Sequence, residues 1–408
     1  MKKRRIVITG MGVLSALGTD TQSHAKGIKQ GRSGMKPITL FDTQHSIYRN
    51  TNACVLDKEV LETIAEDDKT LQISCGIHSI TQALQDAKLS KEEISKAALV
   101  IGTSIGASHT FSEFFKQYVL GHEISDELLA LSSNSAHTIT GDIAAHFGIN
   151  GPLCTISTAC SASTNAVGRG LDMLRSGKVS KVIAGGVDIF TELAFTGFNC
   201  LQALSTTNCK PFSKSRDGLM LGDSSAFFVL EDLESAKKAD KHIFAEVLSY
   251  HFFNEGYHPT SMKSDGSSVY QCMKNTLDKA SIHPDQLDYV NAHGTATKVN
   301  DSSELKGIAL LAQKRNSKEP LYVSSTKSML GHCLGAAGSI ELATTILGMN
   351  QHFIPPNINV DQKDFIEHPD TIAILDRTIE KHFEYAISNS FAFGGNMSSI
   401  LIKNGINI

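Results

Sequence analysis

Short runs rich in Val, Ile and Thr alternate along this chain with longer runs whose apolar residues recur every three or four positions. The short runs predict strands over 6–9, 97–102, 181–186, 225–231, 287–291, 321–324 and 385–389. The longer ones predict helices over 70–87, 164–176, 269–280, 301–311 and 339–349. Such alternation predicts a layered α/β architecture with buried sheets.

The two halves echo each other. Residues 157–174 read as a Ser/Thr/Ala-rich turn, a reactive residue (Cys160) and a helix of small residues. Residues 324–347 repeat the plan, with His332 and Gly335-Ala336-Ala337-Gly338 in the corresponding places. A duplicated fold is expected, with halves near 1–245 and 246–408; two chance look-alike helices are the alternative. No long linker or low-complexity segment intervenes, and Pro355-Pro356 marks a loop before a final strand pair.

Composition narrows the function classes. Of 408 residues, 41% are hydrophobic and 20% charged, enough for a large core and more than one compact unit. The formal net charge is −4, and beyond Lys2-Lys3-Arg4-Arg5 there is no basic block to suggest nucleic acid. That block precedes Ile6-Val7-Ile8-Thr9-Gly10-Met11-Gly12, superficially like a secretory signal. Thr9, Gly10 and Gly12 interrupt the apolar stretch, and Ile-Val-Ile-Thr suits a first core strand. No run approaches the roughly 20 apolar residues of a membrane span. The eight cysteines form no C-x-x-C pair, so neither a zinc site nor a redox pair is indicated. Reduced thiols in a soluble, cytoplasmic chain are expected, most of them small buried hydrophobes.

Cys160 stands apart by context. In Thr158-Ala159-Cys160-Ser161 it falls between a strand end at 155–157 and a helix start. A helix N-terminus stabilises thiolate, so a lowered thiol pKa is expected, and the turn's own N–H can face an oxyanion. His293, in Asn291-Ala292-His293-Gly294-Thr295-Ala296-Thr297, follows a predicted strand, where catalytic groups are often mounted. His332 opens a glycine-rich helix start, five residues after Lys327. Near the C-terminus, Phe391 and Phe393 flank Ala392 and precede Gly394-Gly395, a turn able to expose N–H groups beside an apolar gate. A packed cysteine, ordinary histidines among 16, a surface lysine and a core strand ending in a turn are the bland alternatives. One cysteine and two histidines in glycine-lined turns suit acyl transfer through a thioester.

Taken in order, these segments resemble the elongating β-ketoacyl-[acyl-carrier-protein] synthases, type I/II condensing enzymes of the thiolase superfamily, over essentially the whole chain. Ser215-Arg216-Asp217-Gly218 and Ser325-Thr326-Lys327 add to the match. The resemblance implies a duplicated thiolase-like αβαβα fold and a homodimer. It implies that Cys160 takes an acyl chain from the phosphopantetheine thioester of acyl carrier protein, with no cofactor required for chemistry. His293 and His332 would promote decarboxylation of malonyl thioester, and the carbanion would attack acyl-Cys160. The N–H groups of Cys160 and Phe393 would form the oxyanion hole, with Phe393 as gate beside Phe391. Thr295 and Thr297 would hold the phosphopantetheine arm, and Ile105 would limit the acyl pocket. Lys327, Glu304 and Glu341 would stand behind the histidines and order them. Residues matching Asn291, Glu341, Ser388 and Asn389 hold a structural cation in some relatives.

Departures from the family pattern are local. Ala392 replaces a glycine between the two phenylalanines, Asn396-Met397 replace Thr-Asn, and Asn199-Cys200-Leu201-Gln202 stands where small residues are usual. They leave the chemistry intact and open a specialised polyketide or polyene pathway beside fatty-acid synthesis. A coenzyme A thiolase would need a second catalytic cysteine near the C-terminus, and none follows Cys333. A non-catalytic chain-length partner would lack the nucleophile; a heterodimer containing such a partner stays open. No basic cluster marks a carrier-protein docking patch, with Lys210 and Arg216 only scattered candidates.

Overall fold

A computed structural model describes residues 4–44, 47–65, 69–106, 108–126, 128–129 and 135–405. Strands β1 (Ile6–Ser15), β2 (Lys36–Pro37), β3 (Asn52–Ala53), β4 (Ala98–Gly102), β5 (Leu153–Ile156), β6 (Lys181–Asp188) and β7 (Ser224–Asp232) come first. They are followed by β8 (Ala245–Asn254), β9 (Tyr289–Asn291), β10 (Leu321–Ser324), β11 (Phe353–Ile354), β12 (Ile372–Ile374), β13 (Ile379–Glu380), β14 (Tyr385–Ala392) and β15 (Asn396–Asn404). Eleven of these join in the order β12-β10-β9-β14-β15-β8-β1-β7-β6-β4-β5, while β2–β3 and β11–β13 are short separate ribbons. Outward from the antiparallel β1–β8 pair, the order β1-β7-β6-β4-β5 has the same connectivity as β8-β15-β14-β9-β10, and β12 is an addition at the edge.

Strand alternation explains the layers. Successive side chains point to opposite faces. In the first half Val100, Val182, Phe228 and Leu230 face an inner core, while Leu99, Ile101, Ile183, Phe227 and Val229 face an outer one. In the second half Tyr289, Ala386, Ile400 and Ile402 face the same inner core, and Val290, Val323, Ile387 and Leu401 face a second outer core. Helices Leu71–Asp86 and Ala136–Phe147 cover the first outer face; Ser267–Ala280 and Lys298–Ala312 cover the second. Helices Ala162–Arg175 and Ala337–Asn350 fill the inner layer between the halves. Every residue of the latter but Asn350 is buried, as a helix packed on all sides requires. The result is five layers, αβαβα. No helix among the described residues is long and apolar enough to cross a membrane.

The two inner helices set the site because they touch. A Cβ on Gly338 would lie 1.9 Å from Thr164 Oγ1. Thr164 and Ser390 hydroxyls are 2.7 Å apart, and Ser339 N donates to Ser163 Oγ at 2.9 Å. The ends of β4, β6, β9, β10 and β14 therefore converge around the starts of these helices.

Candidate active site

Cys160 occupies a sharp turn between β5 and helix Ala162–Arg175. Ala159 ahead of it has φ +49°, the left-handed region that costs a residue with a Cβ. The turn is tied by Ser161 Oγ to Thr158 O at 2.8 Å and by Asn165 Nδ2 to Thr158 Oγ1 at 2.8 Å. Below it, a Cβ on Gly102 would lie 2.4 Å from the backbone of Ala162, so β4 reaches the helix start only because it ends in glycine.

His293 follows β9. The Glu304 carboxylate accepts His293 N at 2.8 Å and Gly294 N at 2.7 Å, pinning the loop from behind. Lys327 Nζ lies 3.3 Å from His293 Nδ1 and pairs with Glu341 Oε1; both Lys327 and Glu341 are buried. His332 is held through its backbone: His332 N donates to Met220 O at 2.6 Å, and Gly222 N donates to His332 O at 3.1 Å. Leu334, with φ +50°, turns back so that its N–H donates to His332 Nδ1 at 3.2 Å.

These contacts decide the proton positions. A lysine side chain offers donors only, as does a backbone N–H. Nδ1 of each histidine is therefore an acceptor, and in each neutral ring the hydrogen sits on Nε2. Burial, then the Lys327 charge, hold both imidazoles well below their ordinary pKa. The rings are perpendicular, centroids 5.3 Å apart. Ligating atoms of Cys160, His293 and His332 lie within 4.8 Å of one another. That spacing would suit a metal, but a ligating histidine must offer a lone pair, and here both Nε2 atoms carry hydrogen. Cys160 thus meets two neutral imidazoles, each with its hydrogen on Nε2.

The thiol departs from expectation. Burial pushes Cys160 up to about 12 despite Lys327 and its own backbone N–H, which act the other way. The helix start does not produce a resting thiolate, because desolvating the anion outweighs the local dipole. Glu304 and Glu341 are each pushed up to about 7, chiefly by burial.

The three residues lie at the base of a cleft with about 590 Å³ of empty space. Thr295, Thr297, Met262, Val299, Phe391, Phe393 and Met397 line it. Thr295 and Thr297 hydroxyls are 2.9 Å apart. Phe393, 38% exposed, stacks on Phe198 with centroids 6.1 Å apart. Gly394 and Gly395 follow with φ +80° and +78°, a turn only glycine takes without strain. Ala392 sits in extended backbone at φ −126°, so its methyl costs no strain. Ile105 is not in the cleft wall; it belongs to an apolar cluster with Phe190, Phe195 and Leu334 behind it. Asn291 and Ser388 are register partners on β9 and β14, beside Glu341; the Asn389 amide is engaged by Glu304 and Ser399.

Arg216 is buried and spends its guanidinium on Ser213 O, Thr297 O, Lys298 O and Ser302 Oγ, so it braces the Thr297 loop and is not a docking residue. Asp301, which accepts Phe212 N at 2.7 Å and Ala296 N at 3.1 Å, and Asp188 at the end of β6 were invisible in the sequence. Buried carboxylates that hold backbone amides carry no local motif. Six cysteines are buried; Cys200 is exposed and Cys154 half-buried.

A buried thiol facing two neutral imidazole donors in a thiolase fold defines a condensing enzyme. Residues 3–236 match the "Beta-ketoacyl synthase, N-terminal domain" model and 244–361 the "Beta-ketoacyl synthase, C-terminal domain" model. A 3-oxoacyl-[acyl-carrier-protein] synthase 2 of Vibrio harveyi is 35% identical over 415 residues, covering 99% of each chain. Its namesake from Vibrio cholerae is 34% identical, over 99% of this chain and 100% of that one. Among solved structures, the ishigamide ketosynthase/chain length factor superposes with TM-score 0.89 and 31% identity, over 98% of this chain and 99% of that one. A beta-ketoacyl synthase from Burkholderia phymatum gives TM-score 0.85 at 27% identity, over 98% and 99%. The chain belongs to the β-ketoacyl synthase family.

Proposed function

We propose that this enzyme extends an acyl chain by two carbons through decarboxylating condensation with a malonyl-[acyl-carrier protein]. The observations that carry the reading are the meeting of Cys160, His293 and His332 within 4.8 Å and the donors at both Nδ1 atoms, which leave each ring hydrogen on Nε2. The Cys160 sulfur attacks the incoming acyl thioester, and its proton leaves with the departing phosphopantetheine thiol. Malonyl thioester then loses CO2, and the resulting enolate oxygen is held by His293 and His332. Two fixed donors favour this charge over the neutral ground state, which lowers the barrier without any base strong enough to take a carbon-bound proton. The enolate carbon attacks the acyl-Cys160 carbonyl, whose oxyanion is held by the N–H groups of Cys160 and Phe393. Collapse expels the Cys160 sulfur, which regains a proton from solvent.

Thr295 and Thr297 hold the phosphopantetheine arm in the cleft, and Phe391 backs the Phe393 gate. Ile105 limits the acyl chain from the cluster behind Cys160. The halves meet near 245/246, where β8 begins. The partners are acyl carrier protein and a second copy of the chain, in a cytoplasmic setting. Asn291 Oδ1, Glu341 Oε2 and Ser388 Oγ are buried and have no hydrogen-bond partner among the described residues. Three hard oxygens, one from a carboxylate, fit a small alkali cation, which would offset the Glu341 charge and bind β9 and β14 to the inner helix.

Likeness to a ketosynthase/chain length factor supports a second reading: the catalytic subunit of a specialised heterodimer. Intact mass of the protein mixed with malonyl-carrier protein and acyl-carrier proteins of several lengths separates the two. Acyl-Cys160 and two-carbon products from saturated chains by the chain alone support the leading reading. No turnover until a partner subunit is added favours the second, and acylation of a Cys160→Ala variant overturns both.

A further inference from the structure

Asp188 ends β6 fully inside the protein, yet among the described residues no cation forms an ion pair with it. Its carboxylate collects donors from two loops that are otherwise far apart in the chain. From the turn after β4 come the Thr103 hydroxyl, Ser104 N at 2.8 Å, Ser104 Oγ at 2.7 Å and Ile105 N at 3.4 Å. From the turn after His332 comes Gly335 N at 2.7 Å. Gly335 follows Leu334, whose left-handed backbone aims its own N–H at His332 Nδ1. Two consecutive amides are thus committed, one to the imidazole and one to Asp188. The contact is close: a Cβ on Gly335 would lie 2.7 Å from Asp188 Oδ2 and 2.5 Å from Ser104 N.

We propose that Asp188 is a positioning residue that locks the His332 ring in its Nε2–H donor orientation and ties it to the Ile105 turn. The inference rests on the proposed role of His332. The physical case is one of strain and charge. A left-handed Leu334 is strained and persists only where its surroundings over-determine it. An amide pointing at a carboxylate is a charge-assisted bond, stronger than a neutral one. All five donors need an acceptor, so an asparagine at 188 would turn an N–H2 group towards one loop and release it. Releasing Gly335 lets Leu334 relax and removes the group that holds His332 Nδ1. Releasing the Ile105 turn instead loosens the wall behind Cys160. Either way, the Cys160 turn itself, tied by Thr158 and Asn165, keeps its bonds.

The test separates the steps. Asp188→Asn is compared with His332→Ala and wild type in two assays: CO2 release from malonyl-carrier protein, and alkylation of Cys160 by iodoacetamide read by intact mass. Asp188→Asn is expected to lose about 10- to 100-fold in CO2 release, the scale of a small misplacement of a catalytic group. Its Cys160 alkylation should stay within about 3-fold, and its product lengths should broaden. A purely structural role would lower both assays together, with the folded fraction, and would overturn the proposal; so would wild-type CO2 release. If His332→Ala releases CO2 normally, the reading of His332 fails; if only Asp188→Asn does, that reading stands and this one falls. Should Asp188→Asn not fold, Ser104→Ala deletes one hydroxyl bond to the same Oδ2. A 2- to 5-fold drop in CO2 release, with alkylation unchanged, is then expected, and no drop overturns the proposal.

Discussion

At the scale of single residues, chemistry is decided by where protons sit. His293 and His332 are depressed by burial and by Lys327, so both stay neutral well below the usual histidine range. Lowering the pH through 6.5 should therefore not protonate them. The rate of malonyl decarboxylation is expected to show no histidine step near 6.5; a change near 7 belongs to Glu304 and Glu341, whose carboxyls burial pushes up to about 7, and a step that survives in Glu304→Gln and Glu341→Gln variants would contradict the neutral pair. Each ring supplies one donor to the developing enolate. His293→Ala and His332→Ala should each cost about 10²–10³-fold in condensation, while Cys160 remains acylable. Cys160→Ala should abolish acyl-enzyme altogether, seen by intact mass. Much of this was legible: Cys160, His293, His332 and Lys327 sit in short motifs that the chemistry dictates. The thiol pKa was misjudged, because a sequence shows a helix start but not the desolvation around it. Asp188, Asp301 and Arg216 were missed or misread because their work is to hold backbone, which any distant loop can supply.

At the scale of elements, the sequence spoke most clearly where one residue type dominated. The strand at 321–324 and the helices at 70–87 and 339–349 were visible as apolar or periodic runs, and the structure holds them within two residues. β1 was read short, at 6–9, because Gly10 and Gly12 look like strand breakers. They continue the strand to Ser15 because helix Leu71–Asp86 lies directly on it: a Cβ at either position would come within 2.0 Å of a helix carbonyl oxygen. β8 was not seen as a strand; Glu246, Ser249 and His251 break its apolar pattern, and its length is set by pairing with β15. The same close approach governs the inner helices. Gly338→Ala would drive a methyl to 1.9 Å from Thr164 Oγ1 and 2.9 Å from Thr164 N. The hydroxyl cannot swing away freely, since Ser390 holds it at 2.7 Å. Overpacking of this kind costs about 1–3 kcal/mol. A lower melting temperature by calorimetry is expected for Gly338→Ala, with slower condensation, because Cys160 and His332 sit at the starts of the two helices it would push apart. An unchanged melting temperature would mean that the helices have slack.

At the scale of the whole molecule, two surfaces stay unfinished. β5 is an outermost strand of the sheet, bonded among the described residues only to β4, and Leu153 on it is half exposed. Helix Ser108–Leu120 presents Phe111, Phe115, Tyr118, Val119 and Leu120 to solvent. Stacked pairs Phe111–Phe115 and Phe114–Tyr118 stiffen that surface. An open edge strand and a contiguous apolar helix face are liabilities in a monomer. A second copy related by a two-fold axis removes such liabilities, since a self-complementary edge pairs antiparallel with itself and an apolar helix face packs on its own image. The sequence could not show this face, because an exposed Phe and a core Phe look alike in a helical repeat; only burial separates them. The chain should therefore elute with light scattering near twice its 44.0 kDa. Phe115→Asp places a charge that cannot be paired in a desolvated interface and should shift the protein to monomer. Ile105 and the apolar cluster behind Cys160 lie on the cluster that also holds Phe190 and Phe195, and the cavity beyond it is walled in part by Ser112, Glu113 and Lys116 of this same helix. The monomeric variant should for that reason lose acyl-chain binding more than malonyl decarboxylation. Monomeric wild type, or a Phe115→Asp dimer with unchanged chain selectivity, would show that the exposed face serves something other than a second copy.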